Sequence, residues 1–177
     1  MAPLREALKG LEAEGLVMIV PRRGAFVVAV SIKDMDELYF TRRLIEGEAI
    51  FAAVPFLTQE NIADLQNMIK DMRRATDAND INTYIGLNRQ FHLCLYSALD
   101  NQHLLQVIRT LWERSELYRY RYMFMTRDTE RIHREHEGIL EACRLRDQTL
   151  AKERAKEHIY FTQRALDEQL RGDPATQ

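Results

Sequence analysis

Asp34-Met-Asp-Glu-Leu-Tyr-Phe-Thr-Arg-Arg-Leu-Ile-Glu-Gly-Glu-Ala-Ile-Phe-Ala-Ala53 is where the character of the chain is decided. Strand signals nearly vanish after Ser31, and this stretch reads as a long amphipathic helix that ends near Pro55. Five more helices are predicted downstream. One is capped by Thr58 and runs to Thr76; one runs from Asp80 to Asp100-Asn101; one continues from there towards Met125. A fifth, capped by Thr126 or Asp128, runs to Leu145, and a sixth runs from Asp147 to Gly172-Asp173-Pro174. The run Tyr118-Arg119-Tyr120-Arg121-Tyr122 alternates like a strand, but Leu111, Trp112, Leu117, Met123 and Phe124 continue a helical pattern on both sides, so it reads as helix.

Upstream the signals differ. Leu4, Leu8 and Leu11 share one face of a helix that starts at Pro3 and ends at Gly15. Leu16 to Val20 and Ala25 to Val28 are β-prone runs separated by Pro21-Arg22-Arg23-Gly24, which reads as a hairpin with a basic tip. The expected class is all-α: a six- to seven-helix antiparallel bundle over 35–171, preceded by a helix and hairpin in 1–30, a linker at 31–34 and a frayed tail at 172–177.

The bulk properties agree with a cytosolic globular chain. Of 177 residues 46% are hydrophobic and 29% charged, and only 7 are Gly and 4 Pro, which argues against disorder and turn-rich β folds. No run reaches the ~18 uninterrupted apolar residues of a membrane span, so no membrane partner is expected. Cys94 and Cys143 lie in apolar, helix-like surroundings and do not read as a disulfide framework. The net charge is −2, with the first thirty residues at +1 and the rest at −3. Any DNA contact is therefore local to the N-terminal segment.

Among five histidines, none forms a compact metal motif, and the chain has no phosphate loop, paired-cysteine site or Gly-x-Ser-x-Gly elbow. Asn88 and His92 are four residues apart on one helical face; His136 lies beside Ile139 and Leu140; His158 lies between Ala155 and Ile159. Three inward imidazoles each need a hydrogen-bond partner or a shared ion. Spacing leaves both readings open. His133 is expected at the surface or a pocket mouth, and His103 exposed.

Two blocks carry a family resemblance. Pro3-Leu4-Arg5-Glu6-Ala7-Leu8, Leu11 to Val17 and Pro21 to Val27 resemble the second half of a GntR-family winged helix-turn-helix. The resemblance implies that Arg5 faces the major groove and that Arg22, Arg23 and Gly24 form the wing tip against operator DNA. It also implies further helices before Met1, without which this segment has little to bury against. Asn88-x-x-Phe91-His92, Ala98-x-x-Asn101-x-x-Leu104, Glu135-His136-x-x-Ile139-Leu140-x-Ala142, Arg146-Asp147 and His158-Ile159, with Arg42 to Glu46, resemble the FadR-type (FCD) ligand-binding domain of the same regulators.

That second likeness implies His92, His136 and His158 as ligands of a divalent ion, with Asn88 where the family has Asp. An amide brings no negative charge, so the site should hold its metal more weakly; zinc and nickel suit imidazole best, and manganese is admissible. It also implies a small carboxylic-acid effector, for which Arg43, Arg119 and Tyr120 are candidate contacts, and a homodimer on a palindromic operator. A helical metal-dependent hydrolase, using Glu135 or Glu137 as base, and a metal-free interaction domain are the alternative readings.

Overall fold

The computed structural model describes residues 2–13, 17–20, 24–27, 31–116, 118–119 and 129–171. Helix α1 spans Ala2–Ala13, and strands β1 (Val17–Val20) and β2 (Gly24–Val27) pair antiparallel with Val17 opposite Val27. Leu4 and Leu11 of α1 are exposed. Arg22 and Arg23 lie outside the described residues, as do Tyr120, Thr126, Asp128 and the segment 172–177.

The bundle follows. α2 (Ile32–Ala53) is stopped by the Val54–Phe56 3-10 turn that contains Pro55. α3 is Gln59–Asp77, α4 Ile81–Ser97, α5 Gln102–Arg114, α6 Thr129–Arg144 and α7 Gln148–Arg171. α2 packs most extensively on α7, α3 on α4 and α6, and α6 on α7, with α2 also touching α4 and α5. No described helix is long and apolar enough to cross a membrane.

Short polar side chains set the helix starts. Thr58 and Asn61 form a reciprocal capping box, Asp80 Oδ1 accepts from Thr83 N–H, and Asn101 and Asp147 accept from Leu104 and Leu150 N–H. Ser31 caps α2 by accepting from Asp34 N–H, so residues 32–34, expected as linker, belong to the helix. α3 and α6 each end in a Schellman turn whose left-handed residue is not glycine: Asn79 at φ 55° and Arg146 at φ 58°. The Arg146 guanidinium then donates to Val54 O at 2.8 Å, fastening the α6–α7 corner to the end of α2.

The helix expected to run on towards Met125 stops sooner. α5 ends at Arg114, with Ser115 as its cap, and helical geometry resumes at Glu116 and through Tyr118 and Arg119. Ser115 Oγ donates to Trp112 O and accepts from Arg119 Nη1, a side-chain to backbone exchange that ends the α5 ladder with neither Gly nor Pro.

Candidate metal centre

α4, α6 and α7 each contribute one buried histidine to a common point. His92 is 2% exposed, His136 0% and His158 7%, and one potential ligand atom from each lies within 4.8 Å of the others. His92 Nε2 and His136 Nε2 are 3.3 Å apart. Two nitrogens bound at 2.0–2.1 Å to one tetrahedral ion would sit about 3.3–3.4 Å apart. The pair is satisfied by one shared proton or by one cation.

For His158 and His92 the far side of the ring fixes which nitrogen faces inward. His158 Nδ1 donates to Glu135 Oε2 at 2.8 Å, and Glu135 Oε1 accepts from Arg131 at 2.7 Å. This leaves Nε2 of His158 as the atom able to coordinate, the imidazole–carboxylate arrangement that orients metal-binding histidines. Tyr96 donates its only proton to Glu46 Oε2 at 2.8 Å, so at 3.4 Å from His92 Nδ1 its oxygen can only accept. His92 therefore carries its proton on Nδ1 and a lone pair on Nε2. His136 Nδ1 has no partner among the described residues.

Burial drives the His92 imidazole well below its ordinary pKa, reinforced by His158, His136, Arg42 and Arg119; burial, then His158 and His133, does the same to His136. Both are thus neutral and able to donate a lone pair at neutral pH. Because the unfolded chain holds these protons more tightly, stability is complete above about pH 6.5 and falls as pH drops, by up to about 1.4 kcal/mol per pH unit for each ring. Urea unfolding of the metal-stripped chain at pH 7.5, 6.5 and 5.5 is expected to show this loss, and a flat profile would contradict the burial argument.

A small cavity of about 40 Å³, room for two to four waters at roughly 10–15 Å³ each, adjoins His158. Its polar wall is Tyr39, Arg42, Tyr84, Asn88, Arg119, His158 and Thr162, and Ile85, Ile132 and Ile159 complete it. Arg42 is neutralised in place: Nε donates to Glu46 Oε1 at 2.6 Å, and the guanidinium lies over the Tyr39 and Trp112 rings. Although burial opposes its charge, Glu46 holds its pKa above the ordinary value. Arg119 is different. It stacks on Trp112 at 4.1 Å and uses Nη1 on Ser115, but Nε and Nη2 are buried with no partner among the described residues. Burial, then repulsion from Arg42, lowers its pKa to about 9. Nε and Nη2 form the edge of a guanidinium that matches a carboxylate bidentately.

His92, His136 and His158 come together, and Asn88, one turn before His92 on α4, lines the adjoining cavity with His158 and Arg119. Arg43 does not reach it: its Nη1 meets Gln163 Oε1, and its guanidinium lies over Phe40 and Tyr160. Its neighbour Arg42 is the inward residue, because the buried stripe of α2 runs Met35, Leu38, Tyr39, Arg42, Glu46, Ala49, Ile50, Ala53. His133, expected near the surface, is 2% exposed and shares a 2.9 Å hydrogen bond with Thr76 Oγ1, because α6 buries a second face against α3. His103 is exposed, as is Arg5 on α1. Glu46, fully buried and joined to Arg42, Tyr96 and Trp112 Nε1, was not anticipated; its spacing of four from Arg42 on one apolar stripe is the signal that could have found it.

Residues 37–161 match the FCD domain family. Over 159 residues the chain is 28% identical to the HTH-type transcriptional regulator YdhC of Bacillus subtilis, covering 89% of this chain and 69% of YdhC. It is 30% identical over 114 residues to the HTH-type transcriptional regulator McbR of Escherichia coli, covering 64% of this chain and 52% of McbR. Among solved structures, E. coli McbR/YncC superposes with a TM-score of 0.81 at 24% identity, over 93% of this chain and 83% of that one. A GntR-family regulator from Pseudomonas syringae pv. tomato gives 0.70 at 26% identity, over 97% and 72%. The metal-free FCD domain of TM0439 gives 0.68 at 18%, over 82% and all of that chain. The first and third likenesses speak to the fold alone. These relatives carry the names of transcriptional regulators, and the family match spans most of the bundle. The chain belongs to the FCD-domain branch of the GntR-type transcriptional regulators.

Proposed function

We propose that the bundle is a sensor in which His92, His136 and His158, with Asn88 as a fourth oxygen donor, bind a divalent metal, and in which a small organic acid closes the site. The observation that carries this reading is the convergence of three buried imidazoles from α4, α6 and α7, two of them held neutral by burial. The donor set suits zinc or nickel, with manganese third, since imidazole is a borderline ligand. Imidazole and amide ligands bring no negative charge, so the charge of a bound ion would stay uncompensated by them, which favours an anion in the cavity.

Arg119 is the acid's second contact. A buried guanidinium whose Nε and Nη2 have no partner among the described residues is costly on its own, by about 1–3 kcal/mol for each unsatisfied nitrogen, and a carboxylate at the Nε/Nη2 edge offsets that cost. Arg42, already paired with Glu46, contributes position more than charge. Of the expected contacts, Arg43 is set aside and Tyr120 stays a candidate by sequence alone.

The output side of the proposal is operator DNA. Exposed Arg5 on α1 and the hairpin tip, Arg22, Arg23 and Gly24, supply the DNA contacts of residues 1–30, with 35–171 as the sensing domain, and two copies act on a two-fold operator. Calorimetry with a library of small carboxylic acids, against zinc-loaded and metal-stripped chain, tests the sensor. Metal-dependent binding of at least one acid is expected, and none would refute it. Arg119→Met is expected to weaken that binding about 100-fold while leaving the unliganded chain at least as stable, because it removes a buried, half-satisfied cation.

A further inference from the structure

Tyr118 and Arg119 are adjacent in sequence yet serve different parts of the molecule. Arg119 lines the cavity. Tyr118, 5% exposed, sends its hydroxyl to the start of α2, 3.0 Å from Asp34 Oδ2 and 3.3 Å from Ser31 O, with its ring edge-on to Tyr39. Ser31 is the N-cap of α2 and lies four residues beyond Val27, the last residue of β2. The hydroxyl therefore grips the point where the chain from the hairpin enters the bundle.

The turn that carries both residues is offset from its neighbour. α5 ends at Arg114, and the turn closes on Ser115 through Arg119 N to Ser115 O at 3.0 Å and Arg119 Nη1 to Ser115 Oγ at 2.9 Å. A movement of the Arg119 guanidinium towards a ligand loads or breaks its Nη1 bond to Ser115 Oγ, within the turn that also carries Tyr118. One phenolic proton faces two acceptors, a carboxylate and a carbonyl that already accepts from Met35 N–H at 2.9 Å. The hold on the α2 start therefore depends on how this turn shares one proton between Asp34 and Ser31.

We propose that Tyr118 is a positioning residue that couples the state of the cavity, through Arg119, to the N-terminus of α2 and so to the hairpin segment that precedes it. The biological direction of the coupling rests on the acid-binding role given to Arg119 above; the mechanical link does not.

A mutant cycle on the full 177-residue chain tests it without any ligand. Arg119→Met is made in the wild-type and Tyr118→Phe backgrounds, and hydrogen exchange is followed at the Asp34 and Met35 amides. Arg119→Met is expected to change exchange there about fivefold with Tyr118 present and less than about 1.5-fold without its hydroxyl, magnitudes of one hydrogen bond. Equal changes in both backgrounds, or none, would overturn the proposal. Asp34→Asn weakens the same bond from the other side and must give the same pattern, while the Leu65 and Ile69 amides of α3 report whether each variant keeps its global fold. In a separate arm, zinc with malonate is titrated into wild type by calorimetry. Absence of malonate binding counts against the acid-binding role given to Arg119, and the cycle still decides the role of Tyr118.

Discussion

Zinc added to the metal-stripped chain raises its melting temperature by about 8–16 °C when the free ion exceeds its dissociation constant a thousandfold. The figure follows from mass action, about 4.1 kcal/mol at that excess, and from about 2–4 °C per kcal/mol for a chain of this size. The ligands come from three separate helices, α4, α6 and α7, so no unfolded segment reproduces the site and the binding energy is not shared with the denatured state. Differential scanning fluorimetry with zinc, nickel and magnesium measures it. No shift with zinc or nickel would sink the metal reading.

Variants divide the effect. His136→Ala removes the central, fully buried ring and is expected to abolish the zinc-induced shift, judged against its own metal-free melting point. Glu135→Gln leaves His158 in place but weakens the acceptor on its Nδ1, and should cost about 10–100-fold in affinity. Asn88→Asp runs the other way. It restores a negative donor beside His158, and metal affinity should rise while anionic ligands bind less well, because the ion's charge is then partly met by protein.

The parts of this arrangement visible in the sequence are those set by local chemistry. Thr58, Asp80, Asn101 and Asp147 announce their helix starts because a short polar side chain at a cap bonds its own backbone three residues on. The three histidines stand out because each interrupts an apolar face. What escaped depends on tertiary contact. α2 is flanked by α4, α5 and α7 and buries polar groups, so its inward stripe does not look hydrophobic, and Arg43 was favoured over Arg42. His133 is buried by α3, a neighbour that α6's own periodicity cannot reveal. The break at Ser115 has no glycine or proline to mark it, and the left-handed turn at Arg146 occupies a position where glycine is the usual signal.

Glu46→Ala is expected to lower the melting temperature by about 6–20 °C. Glu46 is 0% exposed and accepts from Arg42, Tyr96 and Trp112, which tie α2 to α4 and α5 at the floor of the cavity. Removing one member of a buried ion pair costs about 3–5 kcal/mol, since the partner charge is left without a counterion, and about 2–4 °C follow for each kcal/mol. Thermal unfolding followed by circular dichroism reads the change, and a loss under about 2 °C would show the network to be incidental. The double variant Arg42→Met, Glu46→Leu should recover most of the stability, because an apolar pair of similar volume replaces both charges. Metal affinity should not recover with it. Once Glu46 no longer accepts the Tyr96 proton, that hydroxyl is free to donate to His92 Nδ1. The His92 proton then moves to Nε2, the atom that faces His136, and the lone pair needed for coordination is lost. A double variant that melts like wild type but binds zinc more weakly would separate the two roles of Glu46: balancing Arg42, and setting the tautomer of His92 through Tyr96.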